Sequence, residues 1–273
     1  MEIQRESGTP LIGYFDAPEA TTFPIAILLQ GSQIESSRRI HDSLKNGLEE
    51  IGMGVVTLEK QGIRGIDGVD DAEYNRCNSL TSRLEDHLLL LTHLKKISGW
   101  NGKLALIGQG DGGRIGSEMA AQNQDKVLAL VLIASGGAWP AKDEILVSFR
   151  SEMSASGFSP GYIHSFIVQA KEQFENAKST PLSKHQCFGF SYKYWDSLMK
   201  TDLPGNLMKI SCPVYYVHGD KDDRIPKASV DSLIKGLREM KKNVTVQRKE
   251  MGREIIRDPK TYEDAISWLK TQI

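Results

Sequence analysis

A glycine-rich turn in the middle of the chain connects an apolar strand to a helix rich in small residues. Residues 103–107 predict the strand, and the turn that follows reads Gly-Gln-Gly-Asp-Gly-Gly over 108–113. This arrangement is typical of the nucleophile elbow, G-x-S-x-G, in which a sharp turn holds one side chain out above a sheet. The central residue here is Gly110. Because glycine has no side chain, this position cannot supply a nucleophile.

Three further segments, together with this turn, resemble the α/β-hydrolase superfamily. Residues 27–32 (Ile-Leu-Leu-Gln-Gly-Ser) look like the strand and oxyanion loop usually written with His-Gly, and residues 59–65 look like the Asp-x-Arg-Gly-x-Gly loop. Residues 212–226 closely match the segment that delivers the acid of the catalytic triad. The chain is similar to esterase-like and lipase-like members with a helical cap. The resemblance therefore implies an α/β-hydrolase fold.

The resemblance also implies a role for each site position. Asp222 takes the acid position, Gly110 the nucleophile position and Arg253 the position of the general base. A guanidinium stays protonated and cannot accept a proton from a hydroxyl, so two of the three triad roles are missing. We expect Asp222 and Arg253 to form an ion pair instead. The family pattern places the oxyanion and ligand pocket at Gln30, Gly31, Ser32, Gln33 and Asp111.

The same turn has two other interpretations. Asp111 could be a nucleophile, as a carboxylate is in dehalogenase-like relatives, but it lies one step past the centre of the elbow, where its backbone N–H serves the oxyanion hole. The spacing Gly108-x-Gly110-x-x-Gly113 also matches the dinucleotide fingerprint. Nucleotide binding predicts an acidic residue at the end of the next strand, but residues 134–137 read Ala-Ser-Gly-Gly. Nucleotide binding stays an alternative.

Apolar, β-branched runs alternate with helix-period stretches along most of the chain, which predicts a mainly parallel sheet with helices on both faces. The predicted strands are Pro10–Phe15, Ile25–Gln30, Gly54–Leu58, Lys103–Gly108, Val127–Ala134, Val214–His218 and Val244–Arg248. The predicted helices are Ser37–Ile51, Leu80–Ile97, Gly112–Gln122, Ala228–Met240 and Tyr262–Gln272. At the end of its strand, His218 is expected to make a local hydrogen bond through its ring.

About eighty residues without a strand signal lie between two of these strands, too many for a simple loop. We predict that residues 139–205 form a helical cap and that residues 1–138 and 206–273 form the core domain. The aromatic residues of the cap either line a pocket below it or form its own core. Both arrangements are compatible with the sequence.

The composition narrows the classes of partner. The 273 residues carry 34 basic and 35 acidic side chains, so no basic excess favours nucleic acid. The first residues do not resemble a signal peptide, and no apolar run is long enough to span a membrane. Cys77, Cys187 and Cys212 lack metal-ligand or disulfide spacing. These features predict a cytoplasmic protein without membrane association, metal or other cofactor.

Our primary hypothesis is a pseudo-hydrolase that has lost acyl-transfer chemistry and binds a small acyl or ester-like ligand. One alternative is a carboxylic-ester hydrolase whose nucleophile was replaced by Gly110 through engineering. An inactivating change would alter one residue, however, and both Gly110 and Arg253 depart from the pattern. A further alternative is a partner-binding scaffold whose pocket is filled by aromatic side chains of the cap.

Overall fold

A computed structural model describes residues 1–6, 8–66 and 68–273. The strands are β1 (Glu2–Ile3), β2 (Leu11–Asp16), β3 (Phe23–Leu29), β4 (Gly54–Leu58), β5 (Trp100–Gln109), β6 (Val127–Ile133), β7 (Gln186–Cys187), β8 (Phe190–Ser191), β9 (Val214–Gly219) and β10 (Val244–Lys249). The helices are α1 (Arg38–Glu50), α2 (Asp71–Cys77), α3 (Leu80–Leu94), α4 (Asp111–Gln122), α5 (Ala141–Ala155), α6 (Pro160–Ser179), α7 (Tyr192–Met199), α8 (Leu203–Lys209), α9 (Lys227–Glu239) and α10 (Pro259–Leu269). A 3₁₀ helix spans Arg253–Arg257.

The main sheet has the strand order β1-β2-β4-β3-β5-β6-β9-β10 in the described residues. β2 is antiparallel to β1 and β4, and the pairs from β4 to β10 are parallel. β3 and β6 are each buried except for one partly exposed residue, as continuous apolar runs require when helices cover both faces. The mainly parallel α/β architecture expected from the sequence is confirmed.

Two helical layers cover the sheet. α1 and α10 contact each other on one face, and α3, α4, α8 and α9 form a continuous layer of contacts on the other. Because parallel strands end at the same edge, the loops after β3, β5, β6, β9 and β10 converge there. The elbow, the acid position and the base position all lie in these loops.

The segment between β6 and β9 carries α5, α6, the β7–β8 hairpin and α7. Its aromatic rings pack against one another, with Phe174 fully buried and Phe188 within 5.8 Å of the rings of Phe149, Phe166 and Phe174. We call residues 139–205 the inserted segment. The predicted boundary at 205 falls inside α8, which packs against α4.

The short helix α2 is absent from the sequence-based prediction. α2 begins after Asp70, whose side chain accepts a hydrogen bond from the backbone N–H of Glu73 at 2.9 Å. An aspartate followed three residues later by a glutamate is a helix-start signal. The helix has only seven residues, too few for a periodic apolar pattern to show.

The glycines that flank the centre of the turn allow α4 to pack directly on the sheet. A Cβ atom added to Gly112 would lie 2.0 Å from the carbonyl oxygen of Leu29 in β3. At Gly108, the nearest atom would be the Cα of Gly113, at 2.4 Å. No side chain fits at either distance, so the backbone contact between α4 and the strands requires glycine.

We expect Gly112→Ala to lower the free energy of unfolding by about 3 kcal/mol, because the added methyl group meets backbone rather than a movable side chain. Gly236→Ala is the matched control. A Cβ there meets nothing within 4 Å inside α9, and the change should stabilise the protein by about 0.5–1 kcal/mol. Urea denaturation measures both, and equal effects of the two variants would contradict the packing argument.

Candidate functional site

The turn between β5 and α4 keeps the shape of an elbow although it has no nucleophile. Gly110 has φ 54° and ψ −125°, a conformation that costs other residues of order 1–3 kcal/mol. Its N–H donates to the carbonyl of Ile133 at 2.9 Å, and its carbonyl accepts from Gly113 N–H at 3.0 Å. The turn is thus held by backbone hydrogen bonds to β6 and within α4.

The side chain of Arg253 stands where the nucleophile of an elbow would be. Its Nη2 atom lies 2.7 Å from the position that a Cβ on Gly110 would occupy. Its Nη1 atom donates to the carbonyl oxygen of Ala134 at 2.8 Å and to Asp222 Oδ2 at 3.3 Å. The residue at the base position therefore covers the nucleophile position.

Asp222 lies in the loop after β9, with its side chain shielded from solvent. Oδ1 accepts hydrogen bonds from the backbone N–H groups of Arg224 at 2.8 Å and Ile225 at 3.1 Å. Oδ2 accepts from Arg253. The structure thus places Asp222 and Arg253 in the contact that their sequence positions predict, with a guanidinium where an imidazole would stand in a catalytic triad.

A cavity of about 310 Å³ lies above Gly110. The core domain supplies much of its polar lining, which includes Ser32, Gln33, Asp111, Arg224 and Arg253. The inserted segment supplies the polar residues Glu144, Ser148 and Tyr194 and most of the apolar side chains, among them Ile145, Phe149, Phe188, Phe190, Trp195 and Leu198. Both sequence-based interpretations of the aromatic residues therefore apply, because Phe149 and Phe188 line the cavity and also pack within the segment.

The five predicted pocket residues occupy different places. Ser32, Gln33 and Asp111 line the cavity, and the Cα of Gly31 lies 3.8 Å from the Cβ position on Gly110. Gln30 does not reach the cavity. Its side chain accepts from Lys60 Nζ at 2.7 Å and donates to the carbonyl of Ser36 at 3.2 Å. The prediction for Gln30 is corrected accordingly: this side chain fixes the buried side of the loop.

The carboxylate of Asp111 is engaged in hydrogen bonds that join three parts of the chain. Oδ2 accepts from the hydroxyl of Tyr194 in α7 at 2.8 Å and from the hydroxyl of Ser32. Arg83 of α3 donates from Nη1 to Ser32 Oγ at 3.3 Å and from Nη2 to the carbonyl of Gln30. Burial and the nearby Asp111 charge raise the pKa of Tyr194 well above its usual value, so this hydroxyl remains a donor.

Tyr194 and Arg83 are site residues that the sequence interpretation missed. Arg83 occurs on the buried face of α3, which also carries Leu80, His87, Leu90 and Leu94. A charged residue at helical spacing within an apolar face is a detectable signal of a buried polar contact. Tyr194 is one of many aromatic residues in the inserted segment, and nothing in its spacing distinguishes it.

Lys60, from the loop that resembles Asp-x-Arg-Gly-x-Gly, lies buried beneath the oxyanion loop. Besides Gln30 it reaches the carbonyl of Gly31 at 3.4 Å. Burial and the positive charge of Arg83 lower the pKa of Lys60 to about 7. Lys60 thus holds the loop from the side opposite the cavity.

His218 differs from its prediction. It is 1% exposed at the end of β9, and neither ring nitrogen has a hydrogen-bond partner in the described part of the chain. The expected local hydrogen bond is therefore wrong. Burial lowers the pKa of His218 to about 4, which keeps the ring neutral at physiological pH.

The described ranges contain no group of three or more side chains that could hold a metal ion. Cys77, Cys187 and Cys212 are free thiols. Within the same residues, no helix combines the length and apolar character needed to cross a membrane.

The mainly parallel sheet, the elbow after β5, the acid after β9 and the loop after β10 together define the α/β-hydrolase fold. Residues 25–259 match the family model described as serine aminopeptidase, S33. The chain belongs to this family. No curated protein sequence matches the chain.

Solved structures agree on the fold. Est1E from Butyrivibrio proteoclasticus, with ferulic acid bound, has a TM-score of 0.69 and 19% identity over 100% of this chain and 98% of its own. Mouse alpha/beta hydrolase domain-containing protein 10 has a TM-score of 0.66 and 17% identity over 99% and 96% of the two chains. The monoacylglycerol lipase of Paleococcus ferrophilus has a TM-score of 0.61 and 17% identity over 96% and 99%.

The contact between Gly110 and Arg253 predicts an energetic coupling. Gly110→Ala should lower the free energy of unfolding by about 1–3 kcal/mol, through backbone strain and displacement of the guanidinium. In an Arg253→Ala background the second contribution disappears, so the same change should cost at least about 0.5 kcal/mol less. A double-mutant cycle by urea denaturation measures this difference. Strictly additive effects would show that the guanidinium does not occupy the space above Gly110.

His218 predicts a dependence of stability on pH. The unfolded chain binds a proton at this residue near its usual pKa of 6.5 and the folded chain near 4, so stability should fall as the pH drops through this range. His87 has a similarly lowered pKa of about 4. His218→Gln should therefore reduce, but not abolish, the loss of unfolding free energy between pH 7 and about 4.5. Parallel pH profiles for the two proteins would contradict this assignment.

Proposed function

We propose that this protein is a non-hydrolytic member of its family that binds a small acyl or ester-like molecule in the cavity above Gly110. One observation carries the proposal: the guanidinium of Arg253 lies where the nucleophile would be, at 2.7 Å from the missing Cβ position. The proposal further places the protein in the cytoplasm and assigns it no nucleic-acid or membrane partner and no cofactor.

The absence of acyl-transfer chemistry follows from the proton balance of the reaction. A hydroxyl nucleophile must lose its proton to a base as it attacks a carbonyl, and a guanidinium does not accept one. Ser32 lines the cavity beside the turn, and its hydroxyl donates a hydrogen bond to the Asp111 carboxylate. A carboxylate is a weak base, and its negative charge next to the oxyanion hole opposes the charge that develops on the substrate oxygen.

Retained binding is supported by the cavity itself. Large aromatic side chains from the inserted segment leave about 310 Å³ open above Gly110, at the lower end of the range for ligand pockets. This argues against a scaffold with a filled pocket. The structural neighbour Est1E has been solved with ferulic acid bound, and we propose a small molecule in the cavity above Gly110 of this chain.

The engineered-hydrolase alternative rests on the elbow and Asp222, both of which keep the form that catalysis would need. Against it, Arg253 has its own anchors in Ala134 and Asp222, so the base position is adapted to an arginine. Nucleotide binding has less support. Gly108 and Gly113 pack tightly against each other, and Arg253 covers the centre of the turn.

The catalytic half of the proposal predicts that the purified protein hydrolyses p-nitrophenyl acetate and butyrate far below the usual enzymatic rate of about 1 s⁻¹. A retained oxyanion hole can still give some acceleration over water. Gly110→Ser combined with Arg253→His should raise the rate well above that of the starting protein. Either change alone should not, since a serine without a base and a histidine without a nucleophile are both inactive.

Turnover near 1 s⁻¹ by the unmodified protein would overturn this half of the proposal. If Ser32→Ala then abolished the activity, Ser32 would be the nucleophile. Activity after Arg253→His alone would also contradict the proposal. Circular dichroism of each variant provides the folding control.

A further inference from the structure

We infer that the ligand of the cavity is a carboxylate with an apolar body, and that Arg253 binds its carboxylate group. This inference rests on the proposed function, because it names the chemical class that the same cavity would take. It differs from an ester or acyl ligand in one respect: the group next to Gly110 carries a negative charge.

The first argument is the unused donor capacity of Arg253. Only Nη1 takes part in hydrogen bonds with the described residues, to Ala134 and Asp222. Nη2 lies directly over Gly110, and 29% of the side chain is exposed, on the cavity. A guanidinium has five N–H donors in a planar fork that matches the two oxygens of a carboxylate. The anchored Nη1 fixes the direction in which the free edge of this fork points.

The second argument is the charge balance of the cavity. Glu144 is paired with Arg114 at 2.6 Å and also accepts from Gly137 N–H and from the hydroxyl of Ser229. This carboxylate therefore has its partners within the protein.

The other acidic groups also have cations near them. Asp222 pairs with Arg253, and Asp111 is linked through the Ser32 hydroxyl to the buried guanidinium of Arg83. Arg224 lines the same cavity, and no carboxylate of the described ranges pairs with its guanidinium. Arg224, an exposed residue, is thus the cavity-lining cation without a carboxylate partner among the described residues, and a carboxylate ligand supplies one where a neutral ester does not.

The third argument is the division of the lining between the two parts of the chain. Arg253 and Arg224 come from the core domain, and the guanidinium of Arg253 lies directly over Gly110. The Asp111 carboxylate at the start of α4 is already engaged by the hydroxyls of Tyr194 and Ser32. The aromatic side chains come from the inserted segment. A ligand that contacts both the arginines and the aromatic side chains has an anionic end at the turn and an apolar chain or ring against the inserted segment.

Isothermal titration calorimetry with matched pairs of ligands tests the inference. The probes are octanoate, 4-phenylbutyrate and ferulate, each compared with its methyl ester, at pH 7.5, where all three acids are ionised. At least one acid should bind at least tenfold more tightly than its ester. Arg253→Gln should weaken binding of that acid tenfold or more and change the affinity for its ester no more than about twofold.

Arg257→Gln is the matched control. Arg257 lies in the same 3₁₀ helix, is exposed, pairs with Glu35 at 3.6 Å and does not line the cavity. The Arg257→Gln variant should bind the acid and its ester with unchanged affinities. Arg224→Gln should weaken binding of the acid selectively but less than Arg253→Gln, because Arg253 is the side chain nearest to Gly110. If Arg253→Gln does not fold, the test is the ratio of the affinities for acid and ester, compared between the unmodified protein and Arg224→Gln.

The possible failures are distinguishable. Esters that bind as tightly as their acids would overturn the carboxylate inference and leave the proposed function standing. Acid binding that is insensitive to both arginine variants would also overturn it. Binding of no acid and no ester at millimolar concentration would contradict the inference together with the binding half of the proposed function, while the hydrolysis assay still tests the catalytic half separately.

Discussion

This site depends on one steric constraint, which is that a side chain on residue 110 and the guanidinium of Arg253 compete for the same space above the turn. The guanidinium of Arg253 can lie above the elbow only because Gly110 has no Cβ. Its place there also depends on two acceptors behind it, the carbonyl of Ala134 and the carboxylate of Asp222. Asp222 in turn is held by backbone N–H groups of its own loop. The positive charge directly above the turn follows from this one placement.

The elbow keeps its shape without a side chain at its centre because backbone packing maintains it. Gly112 brings α4 against the carbonyl of Leu29, and the N–H of Gly110 donates to the carbonyl of Ile133 in β6. Neither contact involves a side chain of residue 110. The shape of the turn therefore depends on the backbone and not on the residue type at its centre.

The sequence predicted the sheet well because its strands are buried, continuous apolar runs with clear ends. The predicted strand at Gly54–Leu58 matches β4 in full, and the elbow was located to the residue. The positions of Asp222 and Arg253 came from the resemblance of their segments to the superfamily, and the structure places them after the ends of β9 and β10, where a parallel sheet brings its loops together.

Side-chain directions were not predictable in the same way. Gln30 has the residue type and position of an oxyanion-loop residue, yet its amide turns toward Lys60, a buried cation that the sequence does not pair with it. Tyr194 is distant in sequence from Asp111 and contacts it only because α7 packs over the turn. Such contacts depend on how the inserted segment sits on the core, and local patterns carry no information on this.

The contact between residues 110 and 253 also makes these two positions one unit for redesign of the site. A Cβ on residue 110 would lie 2.7 Å from the present position of Arg253 Nη2, so a side chain placed at 110 requires the guanidinium to move. That movement in turn alters the contacts of Arg253 with Ala134 and Asp222. A library that varies residue 110 alone therefore also samples new positions of Arg253.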